Sequence, residues 1–145
     1  EVILKNIQFI LGDALDPEIA KKITDAEIIF CDPQRPASEQ QRNVEQISPN
    51  VKTLLELYSS ITSKIAIEFP PQIKEIPFDC EKEYLSVDGN LNRLTLYFNE
   101  LKKAARSAVA LPKGELLHST DKEINVKKSS KLLSYLYHHW RVCSP

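Results

Sequence analysis

Three short apolar runs that stop at turn residues set the pattern of this chain: residues 7–11, 28–31 and 64–69. Runs of this length are typical of strands buried on both faces of a parallel sheet. Gly12-Asp13 follows the first run, Asp32-Pro33 the second and Pro70-Pro71 the third. Because proline has no N–H to donate to a sheet, the last two strands must end there. We therefore predict parallel strands whose carboxyl ends meet at one sheet edge, where open α/β sheets bind ligands.

Helical patterns lie between these runs. Residues 17–23 are predicted to form a short helix, with Asp16 as its N-cap and Pro17 at its first position. Asn50 is predicted to cap a second helix, because the apolar residues that follow it recur at helical spacing. The second and third runs are thus joined by a helical connection, as in an α/β fold.

The second half of the chain changes to alternating polarity. Residues 83–87 and 94–98 alternate around Asp88-Gly89, which predicts an antiparallel hairpin with a connection longer than two residues. A further strand over 108–111 is predicted to end at Pro112, and 127–141 has an amphipathic pattern. Glu68 lies inside the third apolar run; we expect an edge-facing acid at the strand tip, since a buried carboxylate is costly unless paired.

Two of the strand ends resemble the second half of class I S-adenosylmethionine-dependent methyltransferases. The resemblance rests on Leu11-Gly12-Asp13-Ala14 and on Ile29-Phe30-Cys31-Asp32-Pro33. The extension Gln34-Arg35-Pro36 is similar to the Asp-Pro-x-Arg form found in a group with a C-terminal THUMP-like domain. Further stretches similar to that group lie at residues 47–49, 83–91 and 108–112.

The resemblance implies a fold, a cofactor and a site. The fold would be α/β, the second half of a Rossmann-like methyltransferase sheet, with parallel strands, a C-terminal antiparallel hairpin and a small α+β extension. Residues 1–100 would form the half-domain and residues 101–145 a basic THUMP-like extension. S-adenosyl-L-methionine would lie near Gly12, Asp13 and Ala14, whereas Asp32, Pro33 and Arg35 would line the methyl-acceptor site.

The glycines limit what the chain is expected to do alone. It has three glycines, no Gly-x-Gly and no methionine, whereas the family uses a glycine-rich loop where the cofactor approaches the backbone. We expect a fragment of a longer methyltransferase, with weak or no cofactor binding by itself; a short degenerate domain is the alternative. In the family two strands separate the first two runs, so we expect either their direct pairing or a homodimer through exposed sheet edges.

Charged residues are distributed unevenly along the chain. Residues 1–100 carry 10 Lys and Arg against 17 Asp and Glu, and residues 101–145 carry 9 against 3. A basic end on an acidic body indicates a polyanionic partner such as RNA, and a solvated lysine-rich tail is the alternative. The predicted contacts are Lys127, Lys128, Lys131 and Arg141.

The rest of the composition argues against a disulfide-rich protein, a zinc-binding protein and a membrane-spanning protein. Cys31, Cys80 and Cys143 are far apart, which argues against a disulfide scaffold or a zinc site and suits the cytoplasm. No apolar run approaches the ~20 residues that span a membrane. The leading hypothesis is a methyltransferase fragment that acts on RNA, and the alternative is a non-catalytic RNA- or protein-binding module.

Overall fold

The structure, a computed structural model, describes residues 7–33, 47–73 and 75–119. These residues form an α/β fold with a mixed sheet in the order β1-β2-β4-β3-β5-β6. The helices are α1 (Pro17–Ala20) and α2 (Val51–Tyr58), and the strands are β1 (Ile29–Cys31), β2 (Lys64–Phe69), β3 (Glu81–Val87), β4 (Asn90–Asn99), β5 (Arg106–Leu111) and β6 (Glu115–His118). No helix in these three ranges combines the length and apolarity that crossing a membrane requires.

The parallel pair predicted from the apolar runs is confirmed. β1 and β2 run parallel, with Cys31 opposite Ile67, so both strands end at the same edge of the sheet. Buried prolines follow each strand, Pro33 after β1 and Pro70-Pro71 after β2. The two predicted strand ends therefore meet, as the sequence indicated.

Both predicted helix caps are also confirmed. The Asp16 side chain accepts a hydrogen bond from the N–H of Glu18, and Asn50 accepts one from Thr53. α1 is shorter than predicted: it ends at Ala20, because Lys22 and Ile23 bond three residues back instead of four.

The hairpin forms with a tighter turn than predicted. β3 and β4 pair until Val87 faces Asn90, so the connection is the two residues Asp88 and Gly89. Their φ angles are +50° and +75°, as a type I′ turn requires at both central positions. The expected longer connection was wrong because β4 begins at Asn90, four residues before the alternating segment.

One face of the sheet carries the core. Alternate residues of β2 and β4 point to this face, where Val51, Leu54 and Tyr58 of α2 cover them. Side chains with no or almost no exposure are Val51, Ile65, Ile67, Phe69, Leu94 and Leu96.

The first predicted strand is absent. Residues 7–11 are not a strand, and Phe9 and Leu11 are 91% and 101% exposed. A strand needs a neighbour to bond its backbone, and β2 is the partner that the described residues give β1. Direct pairing of the first two apolar runs, one of the two expected outcomes, is therefore not found.

The chain after residue 100 continues the same sheet. β5 runs parallel to β3, which confirms the strand predicted before Pro112, and β6 pairs antiparallel with β5. The domain boundary at residue 100 stays a prediction. The predicted amphipathic segment 127–141 lies outside the described residues.

Glu68 is not an edge-facing acid. β2 lies between β1 and β4, and Glu68 is 6% exposed with its Oε2 3.3 Å from Nη1 of Arg93. The carboxylate is accommodated inside the sheet because an arginine on the adjacent strand reaches it.

Candidate functional site

The carboxyl end of β1 carries the clearest candidate group. Asp32 follows the last residue of β1 and is exposed, whereas Pro33 directly after it is buried. β2 ends in buried Pro70-Pro71 at the same edge. Asp32 therefore presents a carboxylate to solvent from a strand end that proline packing holds in place.

A compact turn holds the predicted cofactor-side residues. The Asp13 side chain accepts a hydrogen bond from the N–H of Leu15 at 2.9 Å, and its carbonyl accepts one from Asp16 at 3.0 Å. The carbonyl of Ala14 accepts the hydroxyl of Tyr58 at 3.0 Å. The turn is thus tied to α2, with the exposed Asp13 carboxylate at its surface.

Gly12 has a packing reason of its own. A Cβ at this position would lie 2.4 Å from Cδ1 of Ile19 in α1, a distance at which one of the two groups must shift. The glycine allows the chain to pass close to α1, and this contact accounts for the residue without a cofactor.

Tyr58 of α2 bonds the Asp13 turn through Ala14 and belongs to the core against which Cys31 of β1 packs. Burial raises the pKa of Tyr58, and the nearby Cys31 and Asp13 raise it further. Tyr58 is one of the helically spaced apolar residues of α2, so the sequence predicts it in the core. Its hydroxyl binds a carbonyl 44 residues away, and no nearby residue in the sequence indicates this contact.

Cys31 is a poor nucleophile at this position. Burial raises the pKa of its thiol, and the neighbouring Asp32 carboxylate raises it further. The thiol is therefore protonated at neutral pH, whereas reactive cysteines are thiolates. Among the described cysteines, Cys31 and Cys80 are both free.

Several predicted site residues lie outside the part of the chain that the structure describes. Arg35, predicted at the methyl-acceptor site, lies outside the described residues, as do the predicted RNA contacts Lys127, Lys128, Lys131 and Arg141. The structure thus ties Ala14 of the Asp13 turn to Tyr58 of α2 and places Asp32 and Pro33 at the carboxyl end of β1. The basic partners stay predictions.

A second polar cluster, which the sequence did not indicate, surrounds Glu81. This residue is 3% exposed, and its carboxylate accepts Oγ of Ser107 at 2.5 Å and the N–H groups of Lys103 and Ala104 at 2.7 and 3.1 Å. Nδ1 of His118 lies 3.9 Å away. Burial alone would raise the pKa of Glu81, but these hydrogen bonds and His118 outweigh it, and the pKa is lowered.

The Glu81 cluster is best explained as a structural clamp. Its carboxylate oxygens bind the connection between β4 and β5, the start of β5 and the end of β6, so it fastens three parts of the fold. The sequence around Glu81 looks like that of an exposed acid, because its hydrogen-bond partners are all at least 22 residues away along the chain.

A polar row crosses the sheet on the face opposite the core. The register places Glu68, Thr95, Glu83, Ser107 and His118 side by side on successive strands. The hydroxyl of Tyr97 donates to Glu83 at 3.0 Å, and burial followed by this carboxylate raises the pKa of Tyr97 to about 12. The polar groups of the row are thus engaged with neighbouring side chains.

Neither a metal site nor a relative adds to this picture. In residues 7–33, 47–73 and 75–119, no three His, Cys, Asp or Glu side chains come close enough together to hold a metal ion. Comparison of the chain with family models, with curated proteins and with solved structures found no match.

Proposed function

We propose that this chain provides the methyl-acceptor side of an S-adenosylmethionine-dependent methyltransferase that acts on RNA. The observation that carries the proposal is the exposed Asp32 carboxylate at the carboxyl end of β1, at the sheet edge where β2 also ends. Ligands of open α/β sheets bind at such strand ends. The antiparallel hairpin of β3 and β4 agrees with the way in which the similar family closes its sheet.

In the proposed methyl transfer, Asp32 and Pro33 have different roles. S-adenosylmethionine, when bound, supplies the activated methyl group. Asp32 orients the acceptor by accepting a hydrogen bond from it and takes up the proton released on transfer. The packed Pro33 keeps this carboxylate in a fixed position, which matters because an in-line transfer depends on alignment.

The cofactor side is supported by the chemistry of one turn. The exposed carboxylate of Asp13 suits the hydroxyl and amine donors at the adenosine end of the cofactor, and the bond from Tyr58 to Ala14 fixes the turn that carries it. Gly12 fits less well, since its packing against Ile19 already accounts for it.

RNA is proposed as the acceptor because of the charge distribution. The excess of positive charge lies in residues 101–145, and phosphate contacts dominate the affinity of RNA-binding proteins. Arg35, three residues beyond Asp32, would add a cation that binds a phosphate in two-point geometry.

Methyl transfer in the gene product that contains this chain tests the proposal. Asp32→Asn should lower the transfer of labelled methyl groups to RNA by ~100-fold or more, since a positioned acid–base group contributes about that much. Asp25→Asn is the matched control, because Asp25 is also exposed but precedes β1 at its other end. Cofactor affinity should be similar in both variants.

Other results would contradict the proposal. Equal transfer by wild type and Asp32→Asn would exclude Asp32 from the reaction. RNA binding without any methyl transfer by the wild type would leave the chain as a non-catalytic RNA-binding module.

A further inference from the structure

The outer side of β1 is an apolar edge that has no strand partner among the described residues. Among the described residues β1 has β2 as its neighbour on one side only, so its other side presents backbone groups at the end of the sheet. Ile28 and Phe30 are 57% and 58% exposed, and because they are two residues apart they point to the same face. An exposed apolar edge of this kind is a template for another strand.

We propose that a second copy of the chain pairs with β1 antiparallel, across a two-fold axis at Ile29. In this register Ile28 of each copy faces Phe30 of the other, and the two Ile29 residues face each other. Directly opposed residues of an antiparallel pair lie on the same face and in contact. The two exposed apolar side chains of each copy thus cover those of the other.

The charges around β1 favour this register over its neighbours. Glu27 and Asp32 flank the strand, and with the axis at Ile29 they face Cys31 and Ala26 of the second copy. An axis at Phe30 would instead place Ile28 against Asp32. The proposed register keeps each carboxylate away from the other copy's carboxylates and from the apolar contact.

The opposite edge of the sheet is less suited to self-pairing. Leu116 and Leu117 of β6 are 51% and 55% exposed, but as adjacent residues they point to opposite faces. An axis at Leu117 places Leu116 opposite His118, and an axis at Leu116 places Leu117 opposite Glu115. Each register of β6 therefore sets a leucine against a polar residue.

The segment before the Asp13 turn exposes further apolar surface. The turn that follows Leu11 is tied to α2 by the hydrogen bond from Tyr58 to the carbonyl of Ala14. Leu11, Phe9 and Ile7 are 101%, 91% and 53% exposed. These side chains supply area beyond the short strand, which a stable interface of ~800 Å² per partner needs.

The inference is independent of methyl transfer, and the mass of the 145-residue chain tests it. Light scattering over a range of concentrations should show the wild type passing from monomer to dimer. Phe30→Lys should weaken association by more than ~10-fold, because it places a cation in the apolar contact. Leu116→Lys is the matched control at the β6 edge and should dimerise like the wild type, with circular dichroism confirming that each variant folds.

Disulfide capture tests the register. In a background that carries Cys31→Ala, Cys80→Ala and Cys143→Ala, Ile29→Cys should form a disulfide-linked dimer on mild oxidation. Opposed residues of an antiparallel pair are ~4.5–5.5 Å apart between Cα atoms, which suits a disulfide. Phe30→Cys in the same background should link more slowly, since Phe30 faces Ile28.

Four results would overturn the proposal: a wild-type chain that stays monomeric at every concentration, a dimer that Phe30→Lys leaves intact, a dimer that Leu116→Lys abolishes, or faster linkage through Phe30→Cys than through Ile29→Cys. If Phe30→Lys does not fold, Ile28→Lys takes its place with the same expectation, because Ile28 is equally exposed.

Discussion

At the scale of single residues, polar contacts fall into two groups. The caps Asp16 and Asn50 bond to N–H groups two and three residues away, and the sequence predicts them because donor and acceptor are neighbours along the chain. Glu81, Tyr58 and Glu68 depend on partners from other elements. Their roles require the folded arrangement, and the sequence gives no local sign of it.

The Glu81 clamp should stabilise the fold in a pH-dependent manner. Glu81→Gln should lower the free energy of unfolding at pH 7 by about 1.5–3 kcal/mol, since hydrogen bonds to a charged group are worth about that much. Because the pKa of Glu81 is lowered on folding, its contribution is present above the pKa of the unfolded chain. It is lost as the pH falls through the lower pKa of the folded protein.

Urea unfolding of both proteins from pH 7 downwards measures this contribution. The difference in stability between wild type and Glu81→Gln should shrink below the ordinary glutamate pKa of ~4.3. The exposed Glu115 provides the control, because Glu115→Gln should change stability little at any pH. A Glu81→Gln effect of constant size down to pH 2 would rule out the charged clamp.

At the scale of elements, the predictions succeed where structure is locally determined. The parallel strands before Pro33 and Pro70, the two capped helices and the hairpin follow from patterns within short windows. The strand predicted at residues 7–11 does not form. Its residues are apolar enough, but a strand forms only beside another strand, and the sequence window cannot show whether one is there. β6 was not predicted, because four exposed residues gain their strand conformation from β5.

The turn between β3 and β4 allows a test of hairpin geometry. Gly89 has a φ of +75°, so Gly89→Ala should lower the free energy of unfolding by ~1–2 kcal/mol, the cost of left-handed backbone for a residue with a Cβ. Asp88→Asn should change it by less than ~0.5 kcal/mol, since asparagine suits the first position of this turn. Chemical denaturation compares them, and equal stability of the two variants would contradict a type I′ turn.

At the scale of the whole molecule, the uneven charge distribution is the strongest sequence signal for function. The proposed RNA contacts Lys127, Lys128 and Lys131 can be neutralised together by substitution with glutamine. RNA affinity should fall, and the slope of its logarithm against the logarithm of salt concentration should flatten by ~0.7 for each phosphate that the variant no longer neutralises.

A fluorescence titration at several salt concentrations measures that slope. Lys21, Lys22 and Lys52 supply the control, because they are exposed cations of the acidic half of the chain; their replacement by glutamine should leave the slope unchanged. If the control flattens the slope as much as the test variant, the RNA site lies elsewhere.

The strand connections also bear on the order in which the strands of the sheet can come together. β3 and β4 are joined by two residues. In contrast, Ile29 of β1 pairs with Ile65 of β2, which lies 36 residues further along the chain. Since closing a long loop costs more chain entropy than closing a hairpin, we expect the hairpin to form before β1 docks. β1 also has β2 as its one described neighbour, so, like β6 at the other edge, it should open more readily than the central strands. The Asp32 end therefore lies on an edge strand of the sheet, where a bound ligand or a second copy would add protection against local opening.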